Sequence, residues 1–247
     1  MLMPNPNMEG LMRKRQLART FTAGAAFAGV LLIGMSVIPS PGRADNEGNG
    51  TDNEEQLAQI GLNVASSSGI VLNMNHKDRK LVGLGSFLVN VAGDCNGCHT
   101  KDPTTEYVNP TGNPYLLHPP FTGVKKVNPA TYLGGGSYFA TLPTGGPPPT
   151  GTVDIYSRNL TPDISGLPEG GHSLSDFIQI MRTGVDFDHL HTNLTAPLNG
   201  NVLQVMPWPN FQNMTDHQLK AIWTFLSAIP CIDTVVAGQP QLRNTCQ

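Results

Sequence analysis

Apolar residues fall into four blocks separated by long polar, Pro-rich and Gly-rich stretches. The first, Phe21 to Ile38, is 18 residues dominated by Ala, Gly, Val, Leu and Ile. In the second, Asp78 to Ala92, Leu81, Leu84, Leu88 and Val91 recur at helical spacing, with Gly83, Gly85 and Gly93 among them. A Gly inside a helix costs about 1 kcal/mol relative to Ala, which suits a place where another helix packs closely. The third block opens at Ser173, pairs it with Asp176 as a capping box, carries Leu174, Phe177, Ile178 and Met181, and stops at Gly184. The fourth opens at Thr215 with Gln218 three residues on, carries Leu219, Ile222, Trp223, Leu226 and Ile229, and ends at Pro230. Strong strand alternation and internal repeats are both missing, so the pattern predicts a mainly α protein.

The first block reads as export machinery rather than fold. Arg13, Lys14, Arg15 and Arg19 form a basic leader, Pro39, Pro41 and Gly42 break the apolar run, and Ala44 offers a small residue before a cut at Asp45. The run is also just long enough to span a bilayer if it were retained as an anchor; the breakers and the small residue favour cleavage. Met12 directly precedes Arg13, which predicts a true start there. The expected organisation is a signal peptide over 1–44, a disordered or loosely packed segment over 45–75 that begins rich in Asp, Glu, Asn and Gly, and one domain over 76–247. Within that domain, residues 101–156 hold ten prolines, Gly134-Gly135-Gly136 and Pro147-Pro148-Pro149. Tyr107, Tyr115, Phe121, Tyr132, Tyr138 and Phe139 lie in the same stretch, so it reads as long ordered loops that pack on something.

Charge narrows the partners. The whole chain carries −3. Residues 1–44 hold five Lys/Arg and one Glu, so the chain from Asp45 onward carries −7. That lacks the basic patch nucleic acid requires, and it would speed encounter with a basic docking face.

Chemistry concentrates in Cys95-Asn96-Gly97-Cys98-His99, the spacing of a c-type haem attachment site. Each thiol can add across one porphyrin vinyl group, and the adjoining imidazole can bind the iron. A thioredoxin-like centre would want a preceding strand in a βαβ unit, and a structural zinc site would want a second close cysteine pair. The remaining cysteines, Cys231 and Cys246, are not so paired with the first two. In an oxidising compartment they can bond to each other and staple the C-terminal tail to the end of the last helix.

A second axial ligand would come from Met or His. From Asp45 onward there are four methionines: Met74, Met181, Met206 and Met214. Met181 lies on an apolar helix face, and Met74 precedes the motif. Met206, in Met206-Pro207-Trp208-Pro209, sits in a loop that two prolines stiffen, which favours it, with Met214 as rival. His118 is the best histidine alternative. Asp186 to His191 includes two Asp and two His; a solvated loop is the expectation there over a small metal site.

Three blocks carry a family resemblance: Gly85 to Val89 leading into Cys95–Thr100; Ser157-Arg158-Asn159-Leu160-Thr161-Pro162-Asp163 with Asp176-Phe177 and Arg182-Thr183-Gly184; and Met206-Pro207-Trp208 followed by Met214 through Pro230. Together they resemble class I c-type cytochromes of bacterial periplasms, the mono-haem and dehydrogenase-associated cytochrome c group. The resemblance implies a cytochrome c class I fold with a long Pro/Gly-rich loop insertion. It also implies one covalent haem c on Cys95 and Cys98, with His99 and Met206 on the iron. Further implications are packing of the first and last helices, with Gly85 and Phe87 meeting Trp223; an Asn159–Pro162 loop near the haem; and Arg158 or Arg182 reaching a propionate. The function implied is single-electron transfer in the periplasm with a dehydrogenase or respiratory oxidase or reductase as partner, and no catalysis. The competing readings are a haem enzyme or a gas or redox sensor, both of which need an open sixth site.

Overall fold

The computed structural model describes residues 50–101, 104, 106–109, 125–234 and 244–246. The export segment 1–44, His118, Tyr115 and Phe121 lie outside them. Helix α1 spans Gly50–Ser67, α2 Arg79–Phe87, α3 Cys95–His99, α4 Pro168–Gly171, α5 Leu174–Thr183, α6 Trp208–Phe211 and α7 Asp216–Leu226. A π-helical turn, Leu88–Ala92, continues α2. Four short strands make two antiparallel pairs: β1 Tyr107–Asn109 with β2 Lys126–Val127, and β3 Tyr138–Thr144 with β4 Gly151–Tyr156.

Local chemistry sets the helix starts. The Asp78 carboxylate accepts from the Lys80 and Leu81 N–H groups at 2.8 and 3.2 Å. Ser173 with Asp176, and Thr215 with Gln218, close reciprocal capping boxes on α5 and α7. Each cap contributes about 1 kcal/mol by satisfying N–H groups that a helix start leaves open. Gly184 ends α5 in the left-handed region (φ 70°), and a Cβ there would sit 2.3 Å from the Trp208 ring.

The helical core is a sandwich with α2 in the middle. A Cβ on Gly83 would lie 2.4 Å from the Ala58 carbonyl oxygen of α1, and one on Gly85 2.0 Å from the Ala221 carbonyl oxygen of α7. Ser86 Oγ donates to the Gly61 carbonyl at 2.7 Å within this contact. Val82, Val89, Leu219, Phe225 and Leu226 are essentially fully buried, each worth about 1.5–3 kcal/mol of apolar transfer.

Three expectations change here. Residues 50–67 of the segment expected to be loose are a helix. Ala58 and Ala65 bury one face of it, and that tertiary contact outweighs a polar composition. The apolar stripe expected over 78–92 holds at Leu84, which is buried, and fails at Val91, which is 47% exposed; Val82, Gly83, Gly85 and Ser86 are buried as well, because the helix meets partners on two sides. Gly85 meets Ala221 and Phe225 rather than Trp223, whose indole N–H donates to the His172 carbonyl at 3.1 Å. Trp223 lies two residues from each of those contacts, on another face of α7.

The Pro/Gly-rich region also contains strands that the sequence pattern does not announce. Leu142 pairs with Val153 and Ala140 with Ile155 in the β3–β4 hairpin. Pro143 interrupts the alternation that would have revealed it. Beyond α7 the chain is pinned to the Ser157–Asp163 stretch. The Asn159 side chain donates to the Ile232 carbonyl at 2.7 Å and accepts from the Thr161 N–H at 2.9 Å. The Asn244 amide donates to the Thr161 carbonyl at 2.7 Å. Cys231 and Cys246 are disulfide-bonded beside this network. Among the described residues no helix is long and apolar enough to cross a membrane.

Candidate functional site

The π-helical turn and α3 present the CxxCH segment to the inside of the fold. Asp94, in the left-handed region (φ 45°, ψ 45°), turns the chain between them. The Asn96 side chain accepts from the Leu133 N–H at 2.9 Å, and the Thr100 carbonyl accepts from Ser137 Oγ at 2.6 Å. Gly135 wedges against the motif. Its N–H donates to the His99 carbonyl at 2.7 Å, and at φ 71° a Cβ would lie 2.5 Å from Arg158 backbone atoms.

His99 Nδ1 lies 2.8 Å from the Arg158 carbonyl oxygen. With Nδ1–H donating there, the tautomer leaves Nε2 unprotonated and able to bind a metal. Burial pushes the His99 imidazole below its ordinary value, and the Arg158 guanidinium adds to the effect while the hydrogen bond opposes it. The neutral form, the one a metal needs, is therefore favoured. Burial, with Asp94 and then Cys98 adding to it, pushes the Cys95 thiol up to about 12. Cys98 is raised by burial, Asp94 and Glu106. Both thiols are uncharged and free of disulfides.

Cys95, Cys98 and His99 open onto a cavity of about 260 Å³. The π-helical turn, α5, α7, β4 and the segment from Leu203 to Pro207 enclose it. Leu88, Val89, Leu160, Phe177, Ile180 and Ile222 supply apolar walls. Met206, Met214 and Met181 also line it; Met74 packs against the hydrophobic core instead. The cavity thus joins two thiols, one imidazole and candidate thioether ligands drawn from positions more than a hundred residues apart.

The cavity also has a charged end, where Arg158 lies 2.6 Å from Asp186 and also pairs with Asp188. His172 Nε2 is 3.6 Å from Asp188. That contact raises the His172 pKa and lowers that of Asp188. Glu169 and His191 line the same cavity, and Glu169 Oε2 and His191 Nδ1 are buried without a hydrogen-bond partner among the described residues. Arg158 is therefore at the site, whereas Arg182 is not: it donates to the Gln212 carbonyl at 2.5 Å and pairs with Asp216. The loop expected to be solvated over 186–191 is so only in its middle: Asp188 and His189 are exposed, whereas Asp186 at its start is 3% and His191 at its end 8% exposed. No group of three or more His, Cys, Asp or Glu able to hold a metal ion occurs among the described residues.

Sequence reasoning passed over Glu169. Its only local signal is its setting, a carboxylate between Pro168 and Gly170-Gly171 with a non-glycine backbone at φ 53°. Of the expected aromatics, Phe139 lines the cavity, Tyr107 and Tyr132 are buried in the core and Tyr138 is 55% exposed.

The residues present fit a covalently held porphyrin. The CxxC spacing, an imidazole whose Nε2 is left able to bind a metal and thioethers lining the same cavity are the donor set such a group requires.

The chain is similar to the cytochrome c subunit of the quinone alcohol dehydrogenase of Gluconobacter oxydans (strain 621H), with 26% identity over 171 residues. The match covers 68% of this chain and 25% of that protein, so the chain spans about a quarter of its relative's length. No family model matches the chain, and no solved structure matches it significantly.

Proposed function

We propose that this protein is an exported mono-haem c-type cytochrome of the class I fold that relays single electrons between redox partners. Cys95 and Cys98 hold the haem through thioethers, His99 is the proximal ligand and Met206 the distal one. The observation that carries the reading is the shared cavity: a thiol pair, a neutral imidazole and a methionine from a proline-bracketed loop all line it. Likeness to a dehydrogenase's cytochrome c subunit supports the same reading.

When bound, the haem supplies one-electron redox chemistry. The protein's contributions are its own. The Arg158 carbonyl orients His99, apolar walls exclude water, and the Arg158 guanidinium, paired with Asp186 and Asp188, forms the charged end of the cavity. Pro207 and Pro209 restrain the backbone around Met206. Export through cleavage near Ala44 places the chain in the periplasm, where the Cys231–Cys246 bond persists. The net −7 of the processed chain suits a partner with a basic docking face, such as a quinone-linked dehydrogenase or a terminal oxidase or reductase.

Absorption spectra of the periplasmically expressed protein, with and without carbon monoxide, test the assignment. A low-spin spectrum with the weak far-red band of sulfur-ligated ferric haem, unchanged by carbon monoxide, is expected. Met206→Ala should open the iron and lower the potential while Met214→Ala should not. A parent that binds carbon monoxide at once moves the reading to a haem enzyme or sensor, with Glu169 and His191 as the cavity's candidate acid–base groups.

A further inference from the structure

Glu169 lines the cavity but has no part in the electron-transfer reading. It sits in α4 with a left-handed backbone (φ 53°, ψ 45°), a conformation that strains a non-glycine residue. Its Oε2 is buried without a hydrogen-bond partner among the described residues. A buried carboxylate oxygen in that state is expensive, and protonation is the cheapest relief. Burial accordingly pushes the Glu169 carboxyl up to about 7, against the opposing pull of His172 and Arg158 and with the help of Asp188 and Asp186.

The groups around it are of mixed sign. Arg158, Asp186 and His191 line the cavity with it, as does His99. His172 and the exposed Asp188 pair at the outer end of the cluster, which gives the cluster an end in water.

We propose that Glu169 is a redox-linked proton site: it gains one proton when the cavity's redox centre gains one electron, and releases it on oxidation. The inference rests on the haem reading above. One electron enters from an external one-electron reductant. One proton from solvent binds a Glu169 carboxylate oxygen, and oxidation returns both. Added negative charge in a low-dielectric cavity raises the proton affinity of a neighbouring carboxylate, so the potential must fall as pH rises through the range where Glu169 titrates. Each tenfold difference in proton affinity between the two redox states corresponds to about 59 mV.

The test is potentiometric titration of the haem-loaded full chain from about pH 5 to about pH 9, for the parent, Glu169→Gln and Glu169→Asp. The parent potential should fall with pH around neutrality. E169Q should be flat there, and E169D should retain a pH-dependent segment. The parent's redox difference infrared spectrum should carry a protonated-carboxyl C=O band that E169Q lacks. A pH-independent parent potential, or a slope that survives unchanged in E169Q, as haem propionates acting alone would give, overturns the inference. If E169Q does not fold, E169D and the infrared band of the parent decide. A chain that retains no haem on a denaturing gel instead overturns the reading beneath it, and the inference with it.

Discussion

Gly85→Ala is the sharpest test of how the helices hold the site. The new Cβ would lie 2.0 Å from the Ala221 carbonyl oxygen and 2.6 Å from Phe225 Cβ, against an ordinary contact of about 3.5 Å. The obstacle is a helix backbone and a β-carbon, neither of which can rotate away, so α2 and α7 must separate by more than 1 Å. Overpacking of this kind costs about 1–3 kcal/mol, occasionally more, and here it takes the upper part of that range. Replacing Gly by Ala in a helix returns about 1 kcal/mol of propensity. The net is a loss of about 2 kcal/mol, or about 4–8 °C in Tm for a chain of this size. Gly146→Ala, where nothing lies within 4 Å of the added carbon and φ is not positive, is the control and should stay within about 0.5 kcal/mol of the parent. Urea and thermal unfolding followed by circular dichroism would measure both. If Gly85→Ala unfolds within 0.5 kcal/mol of the parent, the close α2–α7 crossing is wrong.

Three further outcomes are expected. Replacing Cys231 and Cys246 together by Ser removes a cross-link across a sequence separation of 15 and should cost about 3 kcal/mol on the chain-entropy account; unfolding of the non-reduced proteins measures it. Cys98→Ser should lower haem retained on a denaturing gel, and full retention would contradict two thioether bonds. Glu169→Gln should change the pH dependence of stability. Because the folded-state pKa, about 7, lies above the ordinary glutamate value of 4.5, the folded chain binds the extra proton between them, so this group's stabilisation is complete below the lower value and is lost as pH rises through the upper. Gln mimics the protonated form, so the variant should match the parent near pH 4 and exceed it near pH 8 by up to about 3 kcal/mol; equal stability at both would refute a buried, proton-binding Glu169.

What was legible along the chain was whatever depends on covalent spacing. The Ser173–Asp176 and Thr215–Gln218 boxes are three-residue relationships, Gly184 ends its helix by backbone freedom alone, and Cys231 could find Cys246 because Cys95 and Cys98 were reserved by their own motif. Arrangements between distant segments were not legible. Nothing near Glu169 or His191 in sequence says that either will line the same cavity as Cys95, a cavity that Arg158, α5 and the Leu203–Pro207 segment complete. The β3–β4 hairpin was hidden because its ladder pairs residues such as Leu142 and Val153 across a Pro- and Gly-rich turn. The helical state of residues 50–67 likewise depends on a neighbour, because Gly61 and Gly83 let two backbones approach within reach of a carbonyl. Short-range hydrogen bonding and covalent chemistry act within a few residues and can be read from them. Burial, desolvation and the partner of a glycine face are set by whichever remote segment arrives, and only the folded chain decides that.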